Sequence, residues 1–249
     1  MGWKHLLAAL LLVVAGIGIS PAEPAPAGAA VQETVVLLHG LGRSKASMWL
    51  LARRVENAGF HVVRIGYDSL HQTPGQILNA VTREMDTCCR ALHGPIHFVG
   101  HSLGGLVIRA YLAEHPVKTL GRVVLIGTPN HGTPLVDRYH DSWWMGLAGP
   151  TAQALGTAPG SFPRSLPDPT YPVGVIAGLR NGGPTADLIP GEDDGVVPVE
   201  STKVAGMSDF VVVDSGHALM RYSEEVARQT IAFLRWGAFL HEHQSGQVY

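Results

Sequence analysis

The feature that most constrains this chain is Gly100-His101-Ser102-Leu103-Gly104, a G-x-S-x-G run between the short apolar segment Ile96 to Val99 and a stretch of helical periodicity beginning at Leu103. A strand that turns directly into a helix at a serine leaves almost no room for side chains. Glycines on either side relieve the clash, and the serine is held in a strained backbone conformation with its hydroxyl exposed. The helix N-terminus beneath that hydroxyl favours negative charge developing there. Ser102 is therefore the candidate nucleophile.

The surrounding pattern agrees with such a unit. Thr34 to Leu38, Phe60 to Ile65, Ile96 to Val99, Gly121 to Ile126, Pro172 to Ala177 and Phe210 to Val213 read as six short apolar strands. Helical segments fall between them. Ser47 to Ala58 has Ser47 as cap, Trp49, Leu50, Leu51 and Val55 on one side, and Gly59 as stop. Pro74-Gly75 opens a second, carrying Ile77, Leu78, Val81, Met85 and Leu92. A third runs from Leu103 to His115, and a last from about Ser223 to Trp236. Repeated alternation predicts an α/β fold, a mostly parallel sheet of about six strands with helices on both faces and right-handed crossovers.

With 249 residues, 46% hydrophobic and 15% charged, the chain can bury one core. A formal charge of −2 carries no basic excess, which argues against nucleic acid as a partner. At the N-terminus, Lys4 and His5 precede the apolar run Leu6 to Ile19, followed by a Pro- and Ala-rich stretch to Ala30. This is the pattern of a signal peptide, and the run is short against the roughly 20 residues a membrane-spanning helix needs. Residues 1–30 are thus expected to be a leader, with cleavage at Ala25-Pro26-Ala27 or Ala27-Gly28-Ala29, and the mature chain to be secreted or held in the cell envelope. An uncleaved anchor is the alternative. Residues 31–249 form the expected domain.

The two cysteines, Cys88 and Cys89, are adjacent and cannot staple distant segments. A pair of thiols on a helix is the favoured reading, over a ring closed between neighbours. Between residues 134 and 171 periodicity fails while Trp143, Trp144, Met145 and several prolines accumulate, marking an insertion over the active edge of the sheet. Trp143 to Phe162 reads either as a lid or as a wall of the substrate pocket, with Trp143, Trp144 and Met145 as candidate substrate contacts.

A serine hydroxyl needs a neutral imidazole within reach, and the imidazole needs a carboxylate on its other nitrogen. After a G-x-S-x-G turn, the acid is expected in a loop after a later strand and the histidine after the last. Asp194, in Gly191-Glu192-Asp193-Asp194-Gly195, and His217, in Asp214-Ser215-Gly216-His217, occupy those places. Asp193 is the close rival, with a turn or calcium role open to the Asp-Asp pair, and Asp187 and Asp214 are more distant ones. Two amides for an oxyanion are expected at Leu41 and Leu103. His39 reads as a prop of the first loop, and His101 and His131 as locally hydrogen-bonded residues.

Taken together, Leu38-His39-Gly40-Leu41-Gly42, Gly100 to Gly104, Gly127-Thr128-Pro129-Asn130-His131-Gly132-Thr133 and Asp194-Gly195-Val196-Val197-Pro198 resemble bacterial lipases and esterases of the α/β-hydrolase superfamily. The resemblance spans about Val35 to His217. It implies Ser102, Asp194 and His217 as the catalytic set, Leu41 and Leu103 as oxyanion donors, no cofactor or metal, and a monomer acting on lipid or other ester substrates, with transient contact to a lipid surface. Acyl transfer, thioester or amide cleavage, or a silent binding protein on the same fold are the alternatives. The short interval between leader and first strand departs from larger members and implies a minimal sheet.

Overall fold

The computed structural model describes residues 31–180, 185 and 187–241; the expected leader, residues 1–30, lies outside them. Six strands form one parallel sheet: β1 (Thr34–Leu38), β2 (His61–Ile65), β3 (Ile96–His101), β4 (Leu120–Ile126), β5 (Val173–Leu179) and β6 (Asp209–Asp214). Their order across the sheet is β2-β1-β3-β4-β5-β6. Strand order reverses between β1 and β3, and in open α/β sheets the crevice at the carboxyl ends of such strands is where ligands bind. Leu41 follows β1 and Ser102 follows β3, so the topology alone brings them to this crevice.

The longer helices are α1 (Trp49–Asn57), α2 (Pro74–Cys88), α3 (Leu103–Glu114) and, last among the described residues, α8 (Glu224–Trp236). Central strands are buried on both faces, so their apolar residues divide between two cores. Val36 and Leu38 of β1 pack with α2 and α3 through Ile77, Val81, Met85, Leu106 and Tyr111. Val35 and Leu37 face the opposite way, against Leu51 and Val55 of α1 and Val226, Phe233 and Leu234 of α8. Helices thus cover both faces, as the alternating sequence predicts.

Local chemistry fixes the helix ends. Thr73 and Gln76 form a reciprocal capping box on α2, with Pro74 at the first turn. The Ser223 hydroxyl accepts the Val226 amide at the start of α8, and Gly237 closes it at φ 75°. At α1 the expectation fails. Lys45–Met48 forms a 3-10 turn that contains Ser47, so the α-helix begins at Trp49 with no side-chain cap. The same rotation turns Trp49 outward, 52% exposed, rather than onto the core. Helix α2 stops at Cys88, short of Leu92, and a disulfide joins Cys88 to Cys89 where the backbone leaves helical geometry, in place of the expected free thiols.

Residues 134–171 contain short pieces: α4 (Pro134–Tyr139), a 3-10 turn at Trp143–Gly146, α5 (Pro150–Gln153) and α6 (Phe162–Ser165). Each is too brief to show periodicity. They are nevertheless tied down. Thr151 Oγ1 donates to the Gln72 carbonyl at 2.6 Å, and the Thr157 amide and hydroxyl donate to Asp137. The buried Arg109 of α3 donates to Asn130 Oδ1 and to the Leu166 and Pro167 carbonyls. Asn130 in turn donates to the Thr202 carbonyl in α7 (Val199–Thr202).

Close packing of β5 against α8 has a testable consequence away from the crevice. A methyl group at Gly174 would lie 2.6 Å from Phe233 Cδ2 and 2.7 Å from Phe239 Cζ. Gly174→Ala is expected to cost about 1–3 kcal/mol by overpacking, seen as a lower denaturant midpoint with an unchanged slope.

Candidate active site

The β3–α3 connection is a single residue. Ser102 has φ 56° and ψ −124°, and it is the only residue other than glycine with positive φ among the described residues. Such a conformation costs on the order of 1–3 kcal/mol, and the surroundings enforce it. The Ser102 amide donates to the Ile126 carbonyl and its carbonyl accepts the Gly105 amide. A Cβ at Gly100 would sit 2.4 Å from the Gly105 nitrogen, and one at Gly104 2.4 Å from the Leu38 carbonyl oxygen. Both glycines of the motif are thus required by backbone approaching backbone.

His217 lies in the loop after β6, with its Nε2 2.9 Å from Ser102 Oγ and its Nδ1 2.7 Å from Asp194 Oδ2. An ionised carboxylate only accepts, so Nδ1 carries the proton and Nε2 is left to accept from the serine hydroxyl. Asp194 is buried. Its other oxygen accepts the Val196 and Val197 amides at 3.0 and 2.8 Å, and its carbonyl accepts the His217 amide at 2.8 Å. Asp193 is engaged elsewhere: Oδ1 accepts the Gly195 amide, and its backbone pairs with Pro198 and receives the Arg180 amide. It builds the turn that presents Asp194. Asp214 is exposed at the end of β6.

Leu103 is the first residue of α3, where a helix leaves its amides without internal acceptors. Leu41 lies in the turn after β1. Neither amide donates to an acceptor among the described residues, and Leu41 lines the same cavity as Ser102. The first loop is held by His39, whose Nδ1–H donates to the Gly40 carbonyl at 2.9 Å while Nε2 accepts the Tyr67 amide at 3.3 Å. The Tyr67 hydroxyl donates to the His39 carbonyl, and the two rings stack 4.2 Å apart. Burial lowers the His39 pKa, keeping this prop neutral.

Several neighbours support the histidine. His101 is buried, and its Nε2–H donates to the His217 carbonyl at 2.9 Å. Desolvation, with the His217, Arg221 and Arg43 charges adding to it, pushes the His101 pKa down to about 3. Gly127, at φ 54°, leaves space that a Cβ would fill 3.2 Å from Asp194 Oδ2 and 3.3 Å from His217 Nδ1. The sequence marks Gly127 as part of a motif but does not disclose this contact.

A cavity of about 370 Å³ opens on Ser102. Leu135, Val136, Met145, Ala148, Ala152 and Leu155, all from the 134–171 segment, make an apolar wall, and Arg43 and Arg221 also border it. Met145 is thus at the cavity. Trp143 is not among its lining residues and points to solvent, 82% exposed. The Trp144 side chain lies outside the described residues. Among the described residues, no group of three or more His, Cys, Asp or Glu side chains gathers as metal ligands would.

Sheet order, the serine turn and the hydrogen-bonded Ser102–His217–Asp194 chain are those of the α/β-hydrolase fold. Residues 34–157, just under half of the chain, match the family model of palmitoyl protein thioesterase. Among solved structures, the chain is similar to a Bacillus licheniformis lipase in mature form, with a TM-score of 0.68 and 17% identity, covering 86% of this chain and 96% of that one. It is also similar to a Legionella pneumophila phospholipase (TM-score 0.64, 14% identity, 83% of this chain and 60% of that one) and to a Paleococcus ferrophilus monoacylglycerol lipase (0.54, 18%, 81% and 93%). No curated protein matches the chain by sequence. At 14% to 18% identity, the likeness to these three solved structures is one of fold.

The depressed His101 pKa predicts an acid sensitivity with a definite sign. Unfolded, the ring titrates near 6.5; folded, near 3. Between those values the unfolded chain binds the proton and the folded one does not, so this contribution is intact above about pH 6.5 and is lost as pH falls toward 3. His101→Gln is expected to lose less stability than the wild type between pH 7 and pH 4, read from denaturant midpoints at each pH.

Proposed function

We propose that this protein is a serine hydrolase that cleaves acyl esters of lipids or medium-chain acids through an acyl-enzyme. The observation that carries the proposal is the Ser102–His217–Asp194 hydrogen-bonded chain opening onto an apolar cavity. Ser102 Oγ attacks the substrate carbonyl as its proton passes to His217 Nε2, and Asp194 stabilises the imidazolium. The Leu41 and Leu103 amides receive the oxyanion. The carbon–oxygen bond to the leaving group breaks, and that group takes the proton from His217. Water then attacks the acyl-serine, giving its proton to His217, and the free acid departs as Ser102 is reprotonated. His217 relays every proton while Asp194 stays ionised, so the reaction as proposed calls on no cofactor.

The wall formed by residues 134–171 supports an acyl chain as the substrate's apolar part, and we assign that segment as a cap over the site. Trp143 and Leu147, exposed beside the wall, suit brief contact with a lipid surface. A second reading, thioester cleavage by the same groups, is favoured by the match of residues 34–157 to palmitoyl protein thioesterase. The leader pattern at residues 1–30 supports export, and the Cys88–Cys89 disulfide suits an oxidising compartment.

The test is hydrolysis of p-nitrophenyl esters from acetate to palmitate, with S-palmitoyl-N-acetylcysteamine alongside. The wild type is expected to cleave with an optimum beyond the shortest chains. Ser102→Ala should abolish turnover, and Asp194→Asn should lower kcat on the order of 10⁴-fold. A chain inert on all esters and thioesters, or equally active without Ser102, would refute the assignment.

A further inference from the structure

We propose that the cavity takes a substrate whose leaving group carries an oxyanion, phosphate or carboxylate, received by Arg221 and Arg43; this deepens the hydrolase reading above and rests on it. The cavity wall is mainly apolar, with Thr133, Tyr139 and Thr185 adding hydroxyls beside the site groups, yet two guanidiniums border it. Arg221 is only 7% exposed. Its Nη1 donates to the Ala218 carbonyl and its guanidinium lies 4.4 Å from the centre of the Tyr222 ring, but its Nε has no partner. Neither the buried Arg221 nor the exposed Arg43 has a carboxylate within ion-pair distance among the described residues, whereas Arg90 and Arg228 pair with Asp86 and Glu225.

A buried cation without a counter-charge is costly, and a second cation on the same cavity adds repulsion. Both side chains line the same cavity as Ser102 and His217. A ligand anion would relieve the imbalance, and a guanidinium suits phosphate or carboxylate through forked hydrogen bonds. The leaving-group side follows from proton transfer. The departing atom must lie at His217 Nε2, and Ala218 and Arg221 follow His217 in the same loop. The acyl chain has the opposite requirement, met by Leu135, Val136, Met145 and Leu155.

The experiment compares kcat/KM within two matched pairs: 1-octanoylglycerol 3-phosphate against 1-octanoylglycerol, and 3-carboxy-4-nitrophenyl octanoate against p-nitrophenyl octanoate. The wild type is expected to favour the anionic member by about tenfold or more, the scale of one charge-assisted hydrogen bond. Arg43→Gln and Arg221→Gln should each lower that ratio about tenfold, and Arg221→Lys should recover part of it. A preference in the phosphate pair alone points to a phospholipid headgroup, and a preference in both to any nearby oxyanion. A wild-type ratio near one, or ratios unchanged in the Gln variants, overturns the proposal, since a purely structural Arg221 would depress both members alike. If no ester is turned over, the hydrolase reading fails separately. Calorimetric titration of the Ser102→Ala chain with decyl phosphate and with decanol then decides, and equal affinities overturn the anion site.

Discussion

Everything at the active edge depends on a single backbone constraint, the left-handed turn at Ser102. The residue cannot relax, because its amide is fixed to Ile126 and its carbonyl to Gly105, while Gly100 and Gly104 lie against neighbouring backbone. The strain of this turn is borne by β1 and β3, buried along their whole length, and by the buried end of β4. A nucleophile on a loop would move with the loop. Here the serine is fixed between a central strand and a helix, and the remaining site groups are placed relative to it.

The histidine and the carboxylate are held by less rigid means, and their supports are correspondingly redundant. His217 lies on a loop, but its amide is bound by the Asp194 carbonyl, its own carbonyl by His101 and its Nδ1 by the Asp194 carboxylate. Asp194 is itself pinned by two amides of its turn. Two of these links join the two loops that must not drift apart, and the third ties the His217 loop to β3. The glycines at 127 and 178 are the steric counterpart of those links, since a Cβ at Gly178 would approach Asp194 Cβ to 2.8 Å.

How legible these features are in the sequence follows from what each one leaves there. The serine turn is legible because steric exclusion demands glycine at fixed offsets, and the strands because burial on both faces demands apolar runs. Asp194 and His217 stand in the chain where strand order requires them, yet sequence alone leaves Asp193 as a rival, because two adjacent carboxylates differ only in which way the turn points them. Ser47 misleads because a 3-10 turn and a helix cap share the same residue preferences. Trp143 misleads because a residue in an irregular segment has no period from which to read its direction. Arg221 leaves no signature, since burial of a cation is decided by the packing of the His217 loop and not by its neighbours in sequence.

The division of labour in the chain follows from these differences in constraint. Ser102 sits at the end of a central strand, and His217 and Asp194 lie on loops tied to each other and to β3 by hydrogen bonds. The groups that would meet an acyl chain come from residues 134–171, short helices tied by side chains such as Thr151, Asp137 and Arg109 rather than by a strand ladder. Substitutions in the wall at Leu135, Met145 or Leu155 can therefore reshape the cavity without passing strain to Ser102. The serine turn and the apolar wall of the cavity are written in different parts of the molecule, and that separation explains why the first is far easier to read from the sequence than the second.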